Sequence, residues 1–224
     1  MHDRRFPNES DAYRQARDEL LQAEVDLRAQ REKVAAQRRE LPVGGEVPTD
    51  YAFTTDMSGK PERRRLSELF RPGYDTTVIY SFMYGEQMER ACPMCTSMLD
   101  SLDGATEHIL QRTNLWVAAR SPIERIRAHA ESRGWNRLQL LSSAGTTYNT
   151  DYHAENADGA QLPALNVFVK RDGKVFHQYS TEVLYVDFGK GVNPRHVDLL
   201  WPLWNVLDLT PEGRGEWYPS LSYG

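Results

Sequence analysis

Strand and helix signals alternate along this chain and then give way to a hairpin. That order predicts an α/β fold, a mixed sheet with helices on both faces, preceded by a long N-terminal helix. Two further observations support it. Hydrophobic residues make up 40% and charged ones 26% of 224 residues, a globular composition long enough to bury a sizeable core. An apolar residue also recurs every seventh position early in the chain, at Tyr13, Leu20, Leu27, Val34 and Leu41.

The elements follow in order. Residues 10–41 read as one helix whose narrow apolar stripe gains Ala16 and Ala23 and is weakened by Gln30 and Gln37. Two readings stay open for it, an arm laid across its own domain and a dimerising zipper. "PVGGEVP" ends the helix and marks a linker, so residues 1–50 form an arm and residues 51–224 the globular domain. "YAFTTDMSGKPERRRLSELF" predicts a short hairpin turned at Ser58-Gly59 and leading into a helical turn. "TTVIYSFMY", residues 76–84, suits a central strand buried on both faces. A helix follows Cys92, with Met98, Leu102, Ala105 and Ile109 on one face. "NLWVAA" is the next strand. "SPIERIRAHAESRG" predicts a bounded helix, with Ser121 as N-cap, Pro122 at the first position, Glu124 completing a capping box and Gly134 at the end. "LQLLSS" is a further strand, and Asp172-Gly173 joins "ALNVFVK" to "KVFHQYS" as a hairpin. A last helix, capped at Asn193-Pro194, carries Val197, Leu200, Trp201 and Trp204 inward, with Pro202 expected to kink or break it.

Charge and composition narrow the partners. With 27 basic and 32 acidic residues the net charge is -5, which argues against nucleic acid or an anionic membrane. No apolar run approaches the ~20 residues of a membrane span. "MHDRRFPNES" has no apolar stretch behind its basic residues, so the expected compartment is the cytoplasm.

The chemistry rests on "CPMC", which holds the two cysteines of the chain, Cys92 and Cys95. In a cytosolic protein such a pair is more often catalytic or metal-binding than a structural disulfide. It follows the first central strand and opens a helix, at the carboxyl end of the sheet where α/β folds build sites. Unpaired N–H groups there favour a thiolate on the first cysteine, and Pro93 fits the first helical turn. Cys92 is thus the expected nucleophile and Cys95 the resolving thiol. Arg90 favours that thiolate, while Glu86 and Glu89 oppose it.

A pair of thiols has other chemical uses. His108 gives half of a zinc-finger spacing, but Arg-Thr-Asn stands where a second histidine would fall. Thr96 stands where a c-type haem needs histidine. Met83, Met88, Met94 and Met98 surround the thiols with soft sulfur, so the alternative function is a non-enzymatic binding protein that carries Cu(I) or holds a partner through the helical arm. A purely structural pair is the remaining reading. His129, His153, His177 and His196 show no paired ligand spacing and read as surface or core polar groups. Trp116, Trp201 and Trp204 read as core, and Tyr148, Asn149 and Tyr152 as turn or pocket residues.

Strand–CxxC–helix, then strand, helix and a closing hairpin, resembles the thioredoxin-like superfamily. The "PERRRLSELF" lead-in and the "LQLLSS" strand resemble its peroxiredoxin and membrane-anchored reductase branch. "CPMC", "LDGA", "ARSPIERI", "RGW", "YNTDY", "FHQYST" and "LDLTPEGR" together resemble a largely uncharacterised bacterial family of this fold, often labelled predicted dithiol–disulfide oxidoreductases. The resemblance implies that Cys92 and Cys95 form the redox pair. It implies that Pro163 in "QLPALNVFVK" is the superfamily's cis-proline beside the disulfide, and that Arg120 neutralises a thiolate. "GEQMERA" lengthens the connection before the cysteines relative to minimal thioredoxin, which bears on how directly a protein substrate can approach. The expected function is thiol–disulfide exchange that reduces a disulfide or a peroxide. No cofactor is expected. The expected partners are a disulfide-bearing protein or a small thiol or peroxide, and an unidentified reductant, with a homodimer through the N-terminal helix left open.

Overall fold

In the computed structural model, which describes residues 2–57 and 59–223, one mixed sheet organises the globular part. Its strands are β1 (Ala52–Thr55), β2 (Glu62–Arg65), β3 (Thr76–Ser81), β4 (Asn114–Ala119), β5 (Leu140–Ser142), β6 (Leu165–Arg171) and β7 (Lys174–Ser180). Helices are α1 (Asp11–Arg39), α2 (Pro93–Ile109), α3 (Ile123–Arg133), α4 (Tyr148–Asp151) and α5 (Pro202–Leu207). The strand order is β2-β1-β5-β4-β3-β6-β7. β3, β4 and β5 run parallel, joined through α2 and α3, while β6 pairs antiparallel with β3 and β7 with β6. A parallel βαβ unit flanked by an antiparallel hairpin, with the run β5-β4-β3-β6-β7 ending at the β7 edge of the sheet, is the thioredoxin-like arrangement.

Period-2 alternation sends side chains from the central strands into two cores. Tyr80, Leu115, Val117 and Ala119 face one, with Cys95, Met98, Leu99 and Leu102 of α2, Ile123 and Ile126 of α3, and Trp201 and Trp204. Ile79, Trp116 and Ala118 face the other, with Tyr51, Phe53, Tyr148, Tyr152 and Phe168. The first face is covered by α2, α3 and α5. The second is closed by the short α4 and an aromatic cluster in which Tyr152 meets Phe168 edge-on at 4.9 Å.

Several boundaries differ from the sequence expectation for local reasons. Ser121 is not the N-cap of α3; Pro122 is, and the Ser121 hydroxyl instead donates to the carbonyl of Tyr84 at 2.8 Å. Gly134 does close the helix in the left-handed region, at φ 73°. Pro202 starts a helix rather than kinking one. It lacks an N–H and therefore takes the first helical position of α5, and residues 196–200 form only turns. Of the expected Ser58-Gly59 turn, Ser58 lies outside the described residues, and β1 and β2 pair antiparallel on either side. Asp172 and Gly173 both have positive φ, 49° and 79°, as a two-residue hairpin turn requires.

The chain divides into two compact units, one ending at Pro42 and the other beginning at Val43. In the first, Ser10 caps α1 by accepting from the Tyr13 N–H at 3.2 Å, and Tyr13, Leu20 and Leu27 are exposed. In the second, the linker lies along the outer edge of β7. Val47 donates to Val175 at 3.0 Å and His177 to Gly45 at 2.9 Å, which protects an otherwise open edge. Gly44 is required there, because a Cβ would stand 2.0 Å from the His177 carbonyl oxygen.

Candidate active site

The site grows from the carboxyl end of β3. Phe82 N–H donates to Ala118 at 2.7 Å, prolonging the sheet contact, and the Cys92 N–H donates to Met83 at 3.1 Å. Residues 85–91 loop out between these two anchors. Arg125 of α3 gathers that loop. Its guanidinium donates to the carbonyls of Gly85 (3.3 Å), Glu86 (3.2 Å), Met88 and Glu89 (3.1 Å), and it stands 4.3 Å over the ring of Tyr84. Five N–H donors in a planar fork suit such a cluster of carbonyls. The Met88 sulfur accepts from the Gly85 N–H at 3.2 Å.

Cys92 is the N-cap of α2, extended at φ -62° and ψ 124°, with Pro93 at the first helical position. Both cysteines are free thiols. Cys92 is half-buried, and Cys95, one turn in, is only 3% exposed. The neighbouring Cys95 thiol and the N–H groups of Cys95 and Met94 at the helix start favour the ionised form of Cys92. Together these outweigh burial and lower the Cys92 thiol to about 6. Cys95 moves the other way. Burial first, then the neighbouring Cys92 sulfur, raise it well above the usual thiol range. Tyr80, fully buried on β3, directs its hydroxyl at the Cys95 sulfur. Tyr80, Cys95 and Cys92 thus act on one another in sequence, from the buried strand out to the helix start.

Thr96 ties the start of α2 to α3, with its hydroxyl 3.1 Å from Nε2 of His129. His129 is held among Phe82, Tyr84 and Trp135, and burial lowers its pKa. Cys92 opens onto a cavity of about 480 Å³ whose walls are Met88–Pro93 on one side and residues 219–222 on the other.

The other expected site residues lie elsewhere. Arg120 donates to Glu155 at 2.8 Å and lines a second cavity of about 320 Å³ with Gln87, Met88 and Gln161. Its charge is paired there, and Gln161 in turn donates to Glu155 at 2.7 Å and accepts from Asn149 at 3.1 Å. Pro163 is not a cis-proline: the described residues contain no cis peptide bond. Across Pro163 the Ala164 N–H donates to the Leu162 carbonyl at 3.2 Å, a local bond that the fixed φ of proline suits. Its carbonyl accepts from Nε2 of His196 at 2.8 Å. Ala164 next accepts from the Ser81 N–H at 2.7 Å, which anchors this loop to the end of β3.

All four methionines of the soft-sulfur set lie in or against the core that holds Cys92 and Cys95. Met98 is in the core and Met88 is engaged with Gly85, while Met83 and Met94 pack partly buried against the first core. Among the described residues no group of three or more His, Cys, Asp or Glu is arranged to hold a metal ion. His153 and His177, far apart in sequence, do share a third cavity of about 260 Å³ with Asp151, Asn166, Ser180 and Glu182. Sequence reasoning missed Tyr80, Arg125 and the segment after Trp217. The available signal for Tyr80 was its hydroxyl, which needs a partner once the strand is central and buried.

Over residues 3–223 the chain matches the family described as "Bacterial protein of unknown function (DUF899)". The chain belongs to this family. No curated protein matches it. Similar solved structures include peroxidoxin BcpB from Mycobacterium tuberculosis, 18% identical over 72% of this chain and 94% of that one, with a TM-score of 0.47. Thioredoxin peroxidase I of Plasmodium yoelii is 17% identical over 80% of this chain and 100% of that one, TM-score 0.47. Peroxiredoxin Q of Xanthomonas campestris is 11% identical over 73% and 97%, TM-score 0.48. Among the described residues no helix is long and apolar enough to cross a membrane.

Proposed function

We propose that this family member is a thiol–disulfide oxidoreductase that reduces a disulfide with Cys92 as nucleophile and Cys95 as resolving thiol. The observation that carries the reading is the division of labour within the pair. A half-buried sulfur is held as thiolate by the helix start and by the S–H of Cys95, which stays protonated and shielded.

The chemistry follows. The Cys92 thiolate attacks one sulfur of R–S–S–R′, forms the mixed disulfide Cys92–S–S–R and expels R′S⁻, which takes up a proton. Losing its charge at Cys92 removes the main Coulombic obstacle to ionising Cys95. The Cys95 thiol then gives up its proton and attacks the Cys92 sulfur, expelling RS⁻. Two electrons pass from the dithiol to the substrate, which leaves as two thiols. Tyr80 donates to the sulfur of Cys95 as its negative charge develops, favouring this second step. A thiol or dithiol reductant restores the pair.

Disulfide is favoured over peroxide because a resolving thiol stands one turn from Cys92, and the charge of Arg120 is occupied by Glu155. In this reading Arg120 braces the loop wall beside Gly85–Met88, and Pro163 anchors the connection beside β3.

The test is single turnover of the reduced protein with a small disulfide. Two product thiols should appear per protein while both protein thiols disappear. Cys92→Ser should remove the reaction, and Cys95→Ser should stop at a one-to-one covalent adduct. Failure of the pair to form a disulfide, or identical behaviour of the two variants, overturns the reading. Faster oxidation by a hydroperoxide than by any disulfide would reassign the substrate.

A further inference from the structure

The second wall of the Cys92 cavity is a tied-down loop, not a fraying strand. Trp217 and Tyr223 stack at 6.3 Å and 19°, and the Ser220 N–H donates to the Tyr223 hydroxyl at 3.3 Å, so residues 217–223 close on themselves. Three contacts fasten this loop to the body. Tyr218 meets Trp204 edge-on at 6.0 Å, and Pro219 is buried. Arg133, the last residue of α3, donates to the Leu221 carbonyl at 2.8 Å. Arg133 is itself fixed by a two-point pair with Asp100 of α2, at 3.1 and 2.5 Å. Asp100, on the helix that Cys92 caps, thus steadies the arginine that holds the loop.

A polypeptide reaching a CxxC thiol needs open surface on both sides of it, whereas a cavity of a few hundred Å³ suits a small molecule. Here residues 88–93 and 219–222 leave Cys92 about 480 Å³ between them. The lining includes Ser220, Ser222, Glu89 and Arg90. The last two side chains are exposed and make no ion pair among the described residues, leaving one charge of each sign at the rim. We infer that the loop 217–223 makes the site selective for a small polar disulfide and excludes folded or extended polypeptide substrates. This rests on the dithiol reading of Cys92 and Cys95.

The test separates the two. In a Cys95→Ser background, the rate of Cys92 modification by N-ethylmaleimide is compared with that by a polyethylene-glycol maleimide. Two loop variants are used, a deletion from Trp217 onward and the double substitution Trp217→Ala/Tyr223→Ala, whose side chains are exposed and whose loss spares the core. The bulky reagent should gain about tenfold relative to the small one when the loop is opened, because access limits it. An unchanged ratio in the folded double variant overturns the inference. With both cysteines present, glutathione disulfide should oxidise the wild type faster than insulin does, and opening the loop should narrow that gap. Equal rates in the wild type overturn the selectivity. If neither disulfide oxidises the protein, the dithiol reading fails, while the maleimide ratio still decides whether the loop restricts access.

Discussion

At the scale of single residues, the opposed behaviour of Cys92 and Cys95 gives the most direct predictions. Iodoacetamide should modify Cys92 with a rate that rises through a midpoint at about 6 and levels off above it. A midpoint near the ordinary thiol value of about 8.5 would remove the thiolate argument. The same shift couples to stability. Cys92 is depressed in the folded protein, so its contribution is absent below about 6, grows as pH rises, and is complete above the unfolded value. At pH 7 this amounts to about 1.4 kcal/mol in favour of the reduced form, which raises the potential of the pair by ~30 mV over an unshifted one. A redox titration against glutathione at two pH values checks it. Tyr80→Phe tests the buried end of the site. It should leave the Cys92 midpoint in place but slow resolution by Cys95 about tenfold, since a hydrogen bond to a charged sulfur is lost. Quenched single turnovers would show the mixed disulfide accumulating. Cys92 and Cys95 were legible in the sequence because CxxC at a strand-to-helix junction carries its own chemistry. Tyr80 was not, because only the fold brings a β3 side chain beneath α2.

Between residues and fold stand the elements, and here α3 does more than cover the sheet. Its bounds were legible from Pro122 and Gly134, yet Ser121 serves the loop before the cysteines instead of capping the helix, because the Tyr84 carbonyl lies within its reach. Arg125, one turn on, gathers four carbonyls of residues 85–89. Its role was hidden because carbonyl acceptors carry no residue-type signature. Arg125→Ala should leave those carbonyls without their shared donor, lower stability by about 1–3 kcal/mol, and speed hydrogen exchange in residues 85–91. Arg125→Lys should not restore protection, since an ammonium lacks the planar fork. Full protection in the lysine variant would show that charge alone holds the loop. Pro163 failed as a cis-proline for a similar reason. Sequence position identifies the proline, but the Ala164 to Leu162 hydrogen bond, made through the backbone, fixes the isomer that fits.

For the whole molecule, the mixed sheet and its closing hairpin follow from patterns visible in the chain, because buried strands alternate between two faces and the turn at Asp172-Gly173 demands its residues, whereas the pairing of β1 with β5 does not. The role of α1 does not follow. Its sevenfold stripe is apolar enough to be noticed, yet Tyr13, Leu20 and Leu27 are exposed, and α1 lies in a compact unit separate from the one that carries Cys92. Packing against a partner buries such a stripe, whereas solvating it costs only part of what each side chain would gain by burial. The division into units makes a definite prediction. A chain beginning at Val43 keeps the linker that protects β7, and it should fold and retain the Cys92 alkylation midpoint of the full chain. Urea unfolding with alkylation as the second probe checks this. Loss of cooperative unfolding would show that α1 completes the core. If the body instead survives, sedimentation of the full and shortened chains distinguishes the two remaining roles for the stripe. A full-length dimer that becomes a monomer on deletion assigns Tyr13, Leu20 and Leu27 to a helix–helix contact between copies, and Leu20→Gln/Leu27→Gln should then dissociate it without altering turnover.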